Sequence, residues 1–230
     1  MRLLGLIGGM SWESTIEYYR IINELVKERL GGWNCARLLL YSVNFEKIYS
    51  FQQQNKWEQV AKILINISKK LENAGCEAIV ICSNTAHKVA DAVESEITIP
   101  LIHVVDETAK VIKQSNIKTI GLLGTKFTME GDFYINKLEK KYGLNVILPG
   151  NEEREYINNA IFNEFAQGIF LDSTKSQFLD IIEIMKEKGA RGIILGCTEI
   201  PLLIQEGEVE IPLFNTLKIH LKAAVEFALV

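Results

Sequence analysis

Two short segments of this 230-residue chain each end an apolar run on a small side chain that could carry a proton. Gly75–Asn84 carries Ser83, and Gly189–Thr198 carries Cys197. A thiol where a buried strand ends and the next segment begins lies in an electropositive, partly exposed setting. We expect that setting to lower the pKa of the Cys197 thiol from about 8.5 toward neutrality. Such a thiol could act as a general acid or base.

The alternative for Cys197 is a buried structural cysteine, the commoner explanation for a lone cysteine in an apolar run. The preceding glycine and the polar neighbours Thr198 and Glu199 favour chemistry instead. Thr85 and Thr198 occupy matching loops, where a hydroxyl suits carboxylate oxygens and could equally cap a helix. The two loops together indicate a site for a small anionic molecule.

The two segments are copies of each other at a shift of 114 residues, and two further pairs support an internal duplication. Leu4–Gly8 is similar to Ile120–Gly124, and Ile99–Ile102 is similar to Ile211–Phe214. A chain doubled in this way can present its two matching loops to each other across one cleft. In that arrangement the serine hydroxyl faces the cysteine thiol.

Strands and helices alternate along the whole chain, which predicts an α/β protein with right-handed βαβ units and mostly parallel sheets. Helical patterns cover residues 16–30, 57–71 and 173–185. The expected strands are Leu3–Ile7, Arg37–Val43, Ala78–Cys82, Leu101–Val105, Thr119–Leu123, Asn145–Leu148, Gly192–Leu195 and Leu213–Phe214.

The duplication predicts two pseudo-symmetric domains, each a mostly parallel sheet flanked by helices. Residues 1–98 and 208–230 are expected to form the first domain, and residues 99–207 the second. Ligands of parallel α/β sheets lie beyond the carboxyl ends of the strands. We therefore expect the active site in the cleft between the domains.

Composition excludes several functional classes. A net charge of −4 without a basic cluster gives no footprint for nucleic acid, and no apolar stretch approaches the length of a membrane span. Four cysteines in a chain without secretory features indicate free thiols and a cytoplasmic protein. The three histidines are scattered, so a zinc site is not expected. No motif supports a metal or nucleotide cofactor.

Three motifs carry a resemblance to a known family: Gly8-Gly-Met-Ser11, Asn84-Thr-Ala-His87 and Gly196-Cys-Thr-Glu199. They resemble the aspartate/glutamate racemase family, the amino-acid racemases that use no pyridoxal phosphate. The resemblance covers essentially the whole chain, including its duplicated plan. Family members remove the substrate Cα proton with a thiolate on one face and return a proton from a thiol on the other. It implies a cofactor-independent isomerase acting on aspartate or glutamate.

The same resemblance assigns roles to individual residues. Cys197 would be one catalytic acid/base, with Ser83 in the opposite position. The residues expected to bind substrate are Met10, Gln52, Ser83, Asn84, Thr85, Thr198 and Glu199. Three basic residues, Lys47, Lys126 and Arg154, are candidates for holding a side-chain carboxylate, and the sequence does not choose among them.

The chain departs from the family pattern at one catalytic position, because Ser83 stands where a cysteine directly precedes Asn-Thr. Cys82 lies one residue earlier, and neighbouring strand residues point to opposite faces, so Cys82 is expected to point away from the substrate. A serine hydroxyl can donate a proton but is a poor base. The expected racemase is therefore asymmetric between enantiomers. The alternatives are a single-thiol decarboxylase and a non-catalytic amino-acid-binding protein, and a homodimer is possible for each.

Overall fold

The computed structural model describes residues 1–230 and divides into two compact units. The first unit comprises Met1–His103 and His220–Val230, and the second comprises Val104–Ile219. Each unit holds one sheet in which every strand pairing is parallel. Parallel sheets are covered by helices because their connections cross over on the sheet faces. The expected α/β class with two parallel sheets is confirmed.

The first sheet has the strand order β2-β1-β3. Its strands are β1 (Leu4–Gly8), β2 (Leu38–Ser42) and β3 (Ala78–Ile81). The helices in this part of the chain are α1 (Trp12–Leu30), α2 (Phe45–Gln53), α3 (Trp57–Asn73) and α4 (Ala90–Glu94), with a 3₁₀ helix over Thr85–Val89. Helix α3 shows why they form, since its buried residues Val60, Leu64, Ile67 and Leu71 recur at helical spacing.

The second sheet has the order β5-β4-β6-β7. Its strands are β4 (Thr119–Gly124), β5 (Asn145–Ile147), β6 (Ile193–Gly196) and β7 (Leu213–Asn215). The helices are α5 (Val104–Gln114), α6 (Lys126–Glu130), α7 (Asp132–Asn136), α8 (Asn151–Asn163), α9 (Asp172–Glu187) and α10 (Ile200–Leu203). Helix α11 (Thr216–Leu229) begins in the second unit and continues into the first. A π-helical turn spans Lys137–Lys141, and a 3₁₀ turn spans Phe165–Gln167.

The two units repeat individual hydrogen bonds, which places the duplication at the level of single residues. Cys76 N–H donates to the carbonyl of Leu71 at 3.0 Å, and Ala190 N–H donates to Met185 at the same distance. Gly75 and Gly189, which precede these donors, have φ values of 89° and 105°, the left-handed region that favours glycine. Further along, the carbonyls of Pro100 and Pro212 accept from Ile79 and Ile193, both at 2.9 Å.

The structure differs from the expected strand over Leu101–Val105. Only Leu101 makes a parallel bridge, to Ile79, and helix α5 begins at Val104. The apolar residues that suggested a strand are the first turn of an amphipathic helix, because Val104, Val105 and Thr108 share its buried face with Ala109 and Ile112.

Both boundaries between the two units lie further along the sequence than expected. The first boundary lies at His103–Val104 instead of 98–99, and the second lies at Ile219–His220 instead of 207–208. The second difference has a clear cause. Strand β7 pairs in parallel with β6 over Ile193–Leu195, so residues 213–215 belong to the second sheet. The return to the first unit falls inside α11.

None of the helices combines the length and apolar composition that a membrane span requires.

Candidate functional site

The Ser83 loop, residues 82–85, follows β3 in the first unit. Ser83 is 9% exposed, and its Oγ accepts a hydrogen bond from the backbone N–H of Ala86 at 3.3 Å. Its backbone N–H donates to the carbonyl of Ile81 at 2.8 Å. Asn84 and Thr85 are buried beside it. The tight turn into the 3₁₀ helix thus fixes Ser83 directly beyond the carboxyl end of β3, and α/β proteins bind ligands beyond the carboxyl ends of their strands.

Cys82 lies on the other side of the same backbone. It is fully buried, and its Sγ lies 3.9 Å from the carbonyl oxygen of Val80. Burial raises the pKa of the Cys82 thiol, since an apolar environment disfavours the thiolate. Cys82 therefore has the properties of a core residue, and Ser83 is the more accessible of the two neighbours.

Hydrogen bonds with the side chain of Thr15 fix the loop after β1 that contains Gly8 and Gly9. Gly9 has φ of 86°, and a Cβ there would lie 2.4 Å from the carbonyl oxygen of Val43, so no larger residue fits without a backbone shift. Gly9 N–H donates to Thr15 Oγ1 at 2.8 Å, and the Thr15 hydroxyl donates to the Ser11 carbonyl at 2.7 Å. The backbone N–H of Gly9 is therefore already hydrogen-bonded within the protein, unlike the free amides with which a loop at a helix N-terminus binds an anion.

Two further predicted site residues are buried in the first unit. Met10 follows Gly9 and is 6% exposed, and Gln52 lies at the end of α2 with 3% exposure. Met10 belongs to the loop beyond β1, the strand that pairs directly with β3. The loops after β1 and β3 therefore leave the same edge of the sheet.

The Cys197 loop, residues 197–199, follows β6 in the second unit and holds a compact hydrogen-bonded group. The Sγ of Cys197 lies 2.9 Å from Oε2 of Glu199, and the hydroxyl of Thr198 donates to the same oxygen at 2.7 Å. All three residues are at most 7% exposed. Sequence reasoning named Glu199 as a substrate contact and missed that its carboxylate receives hydrogen bonds from the thiol and from Thr198.

The expectation of a lowered thiol pKa is not met. Burial, the charge of Glu199 and the hydrogen bond to it raise the pKa of the Cys197 thiol well above its usual range. The thiol is therefore protonated in the resting protein, and its proton is directed at a carboxylate oxygen. A thiol and a carboxylate in this contact can exchange one proton and so act together as an acid/base pair.

Two of the three basic residues that could hold a side-chain carboxylate of the substrate form ion pairs with other residues of the protein. Lys126 forms a close ion pair with Glu155, and Arg154 Nε lies 2.9 Å from Glu130 Oε1. Lys47 forms no ion pair and lines a cavity of about 410 Å³ between β2, α2 and α3. That cavity contains none of the predicted catalytic residues. No group of three or more His, Cys, Asp or Glu side chains is arranged to hold a metal ion.

The fold and the two loops define a class of protein. Each of two duplicated parallel-sheet units ends a strand, β3 or β6, on a loop with one small proton-carrying side chain, Ser83 or Cys197. In the second loop a carboxylate oxygen of Glu199 lies 2.9 Å from the thiol. This is the arrangement expected of a racemase.

The comparisons with known proteins agree. The model of the Asp/Glu/Hydantoin racemase family matches residues 7–224, nearly the whole chain. The chain belongs to this family, and it is an isomerase of the racemase type. A broad specificity amino-acid racemase, RacX of Bacillus subtilis, is 23% identical over 217 residues, which cover 93% of this chain and 92% of that protein.

Solved structures show the same relationship at higher identity. A candidate Asp/Glu racemase from Yersinia pestis is 46% identical with a TM-score of 0.94, and all of both chains is covered. An aspartate racemase homologue from Pyrococcus horikoshii OT3 is 40% identical with a TM-score of 0.88, again over all of both chains. The duplicated architecture is therefore that of the family.

Proposed function

We propose that the protein racemises a small acidic amino acid, aspartate or glutamate, by moving its Cα proton without a cofactor. The observation that carries the proposal is the hydrogen bond from the Cys197 thiol to the Glu199 carboxylate, inside a loop that matches a racemase motif. The family and the names of the relatives support an amino acid as substrate.

The proposed reaction begins with transfer of the thiol proton of Cys197 to Oε2 of Glu199. The S–H bond breaks, an O–H bond forms, and the thiolate then removes the Cα proton of the substrate. The electron pair of the broken C–H bond remains on the substrate as a carbanion. Thr198 already donates its hydroxyl hydrogen to Glu199, so its oxygen has only lone pairs to offer. It therefore suits the substrate ammonium group better than a carboxylate.

We assign Ser83 to the opposite face of the carbanion. Its Oγ receives a hydrogen bond from the Ala86 N–H, which supports a hydroxyl that points its hydrogen outward as a donor. Asn84 and Thr85 follow in the same loop, and with Met10 and Gln52 they are the proposed contacts to the substrate. In this half of the reaction the Ser83 O–H bond breaks, the electron pair of the carbanion forms the new Cα–H bond, and solvent returns a proton to the Ser83 oxygen while Glu199 Oε2 releases the proton it holds. A serine donates its proton far less readily than a thiol, so this half of the reaction is the slow one.

Thermodynamics limits what such asymmetry can do. The two enantiomers have equal free energy in water, so the ratio of kcat/KM values for the two directions must be one. An asymmetric site therefore cannot be a one-way racemase. It can, however, exchange the Cα proton of one enantiomer many times before inversion, because return of the proton from Cys197 is faster than donation by Ser83.

The test is proton NMR of L- and D-aspartate and L- and D-glutamate incubated with the protein in heavy water. We expect one enantiomer to exchange its Cα proton at least about tenfold faster than it racemises, because only the Cys197 face carries a competent base. The Ser83→Cys variant is expected to raise the racemisation rate, and Ser83→Ala to lower it while the exchange continues. Equal exchange of both enantiomers by the unaltered protein would contradict the asymmetry.

The same samples separate the alternatives. Release of carbon dioxide from a malonate-type substrate without racemisation would favour a single-thiol decarboxylase. Binding of amino acids without exchange at either face would identify a binding protein.

We also propose that a second copy of the chain covers the free edge of β2. This strand pairs only with β1, contains no charged residue, and exposes Leu39, Leu40 and Tyr41. Trp33, just before the strand, is fully exposed. Monomeric proteins usually protect such edges with charges or proline, because unpaired edges bind other strands. A homodimer would cover this surface.

Light scattering after gel filtration tests the dimer. We expect the unaltered protein to have the mass of a dimer and Leu40→Lys to shift it to the monomer. The control is Leu202→Lys, which places the same charge on an equally exposed leucine of the second unit and should leave the mass unchanged. A monomeric unaltered protein would refute the proposal.

A further inference from the structure

All three histidines of the chain lie together in the first unit, although they are far apart in sequence. His87, His103 and His220 are at most 4% exposed. The ring centroids of His87 and His103 are 4.7 Å apart, and those of His87 and His220 are 5.5 Å apart. His103 ends the first stretch of this unit and His220 begins the second. The group is called the histidine trio below.

Hydrogen bonds fix the protonation of His220. Its Nε2 lies 2.6 Å from the carbonyl oxygen of Ile102, which can only accept, so Nε2 carries the hydrogen. Its Nδ1 lies 2.9 Å from the hydroxyl of Tyr18, which then donates. Both ring nitrogens are used in the neutral form, and burial lowers the pKa of His220 to about 4. The His220 ring is therefore uncharged and held in one orientation next to the other two histidines.

His87 connects the trio to the proposed proton donor. Its Nδ1 lies 2.7 Å from the carbonyl oxygen of Ser83, four residues earlier. Because that oxygen can only accept, Nδ1 carries the hydrogen and donates it. The Ser83 backbone is thus held through its N–H by Ile81 and through its carbonyl by an imidazole whose plane is set by two neighbouring rings.

We propose that His87 is a positioning residue for Ser83. Its Nδ1–H fixes the Ser83 carbonyl and, through the turn, the direction of Oγ, while His103 and His220 keep the His87 ring in place. Proton transfer is sensitive to displacements of about 1 Å, so a loose Ser83 would donate poorly. The inference rests on the proposed function, but it concerns the Ser83 face alone and leaves the Cys197 face unaffected.

The trio is not a metal site. Both nitrogens of His220 and Nδ1 of His87 are engaged in hydrogen bonds, and no metal-binding arrangement of side chains is present.

A pair of substitutions separates the hydrogen bond from the packing. In His87→Asn the amide nitrogen can occupy the place of Nδ1 and keep a donor toward Ser83, whereas His87→Leu fills similar space without one. Both variants are compared with the unaltered protein in heavy water. We expect His87→Leu to lower racemisation about tenfold or more while Cα exchange at the Cys197 face stays within about twofold. His87→Asn should recover most of the lost racemisation.

A double-variant comparison sharpens the test. In a Ser83→Ala background, His87→Leu should cause no further loss of racemisation, because residues that act as one unit are not additive. Equal loss of exchange and racemisation in His87→Leu would indicate general damage and overturn the proposal. So would a well-folded His87→Asn with the activity of His87→Leu.

Nitrogen-15 NMR of the unaltered protein tests the geometry without any substrate or variant. We expect His87 as the Nδ1–H tautomer and His220 as the Nε2–H tautomer at pH 7.5. An Nε2–H tautomer of His87 would remove the donor and refute the inference even if the protein racemises amino acids. Absence of exchange with every acidic amino acid, with the expected tautomers present, would instead refute the proposed function.

Discussion

Replacement of Cys197 with alanine is expected to abolish both racemisation and Cα exchange, with a loss of about a thousandfold or more. The variant removes the thiol whose sulfur lies 2.9 Å from Glu199 Oε2. The remaining neighbours are the Thr198 hydroxyl, which is a poor base, and the Glu199 carboxylate, which already accepts the Thr198 hydrogen bond. We expect neither to take the Cα proton at a comparable rate. Proton NMR in heavy water measures both rates in one experiment.

Cys82→Ala is the matched control for this prediction. Cys82 is also a buried thiol of raised pKa, but it contacts a backbone carbonyl and no carboxylate. Its removal should leave both rates within about threefold and lower the free energy of unfolding by about 1 kcal/mol, the cost of a small cavity. Loss of exchange in Cys82→Ala with retention in Cys197→Ala would reverse the assignment of the two cysteines.

Because the pKa of Cys197 is raised, the resting form of this residue is the thiol and not the thiolate. A permanently ionised thiolate beside Glu199 would place two negative charges in a buried site, which burial and repulsion both oppose. In the structure the Cys197 sulfur instead lies 2.9 Å from the Glu199 carboxylate oxygen, a distance at which the two atoms can share one proton. Under the proposed function, we expect the thiolate to form only when the substrate ammonium group enters and compensates the negative charge. Such a thiol would react slowly with other reagents and still serve the proposed proton transfer.

The sequence predicted the duplicated fold because repetition leaves a direct trace in residue order. Gly75 and Gly189 end corresponding helices with positive φ, and the same short apolar runs follow as β3 and β6. The approximate strand positions needed only the pattern of apolar residues, since buried parallel strands are continuous apolar runs. The residues of the Ser83 and Cys197 loops followed from the same alignment.

Other features depend on tertiary contacts that no local pattern records. The late boundary at Ile219–His220 depends on the pairing of β7 with β6, and a three-residue strand is too short to predict its partner. The sign of the Cys197 pKa shift depends on where the Glu199 side chain points, and adjacency in sequence does not determine this. The contact between His87 and Ser83 could have been predicted from the sequence, because a residue four positions after Ser83 lies one helical turn away.

Acid is expected to destabilise the first unit through His220 alone by about 3 kcal/mol between pH 6.5 and pH 4. Burial lowers the pKa of His220 from 6.5 to about 4, with an opposing contribution from the hydrogen bond to Ile102. Within that window the unfolded chain binds a proton at this position and the folded chain does not. The free energy of unfolding therefore falls as the pH falls, and the loss ends once both states are protonated.

Tryptophan fluorescence during urea unfolding measures the free energy of unfolding of the first unit, which contains His220. All three tryptophans, Trp12, Trp33 and Trp57, lie in the first unit together with His220. His220→Gln is the informative variant, because its amide can still donate toward Ile102 but does not titrate. It should be less stable than the unaltered protein at pH 7.5 and lose about 3 kcal/mol less between pH 6.5 and pH 4. Glu72 and Glu96 of the first unit, whose pKa values hydrogen bonds lower from 4.5, also begin to lose their contribution as the pH approaches 4, but they do so equally in both proteins.

Tyr18→Phe completes the test, because Tyr18 stabilises only the neutral form of His220. Its hydroxyl donates to Nδ1, and protonation of that nitrogen removes the acceptor. The variant should be about 1 kcal/mol less stable at pH 7.5, and the difference from the unaltered protein should shrink as the pH approaches 4. A constant difference across this range would mean that His220 keeps one protonation state throughout. The acid sensitivity of the first unit would then have to arise from other groups.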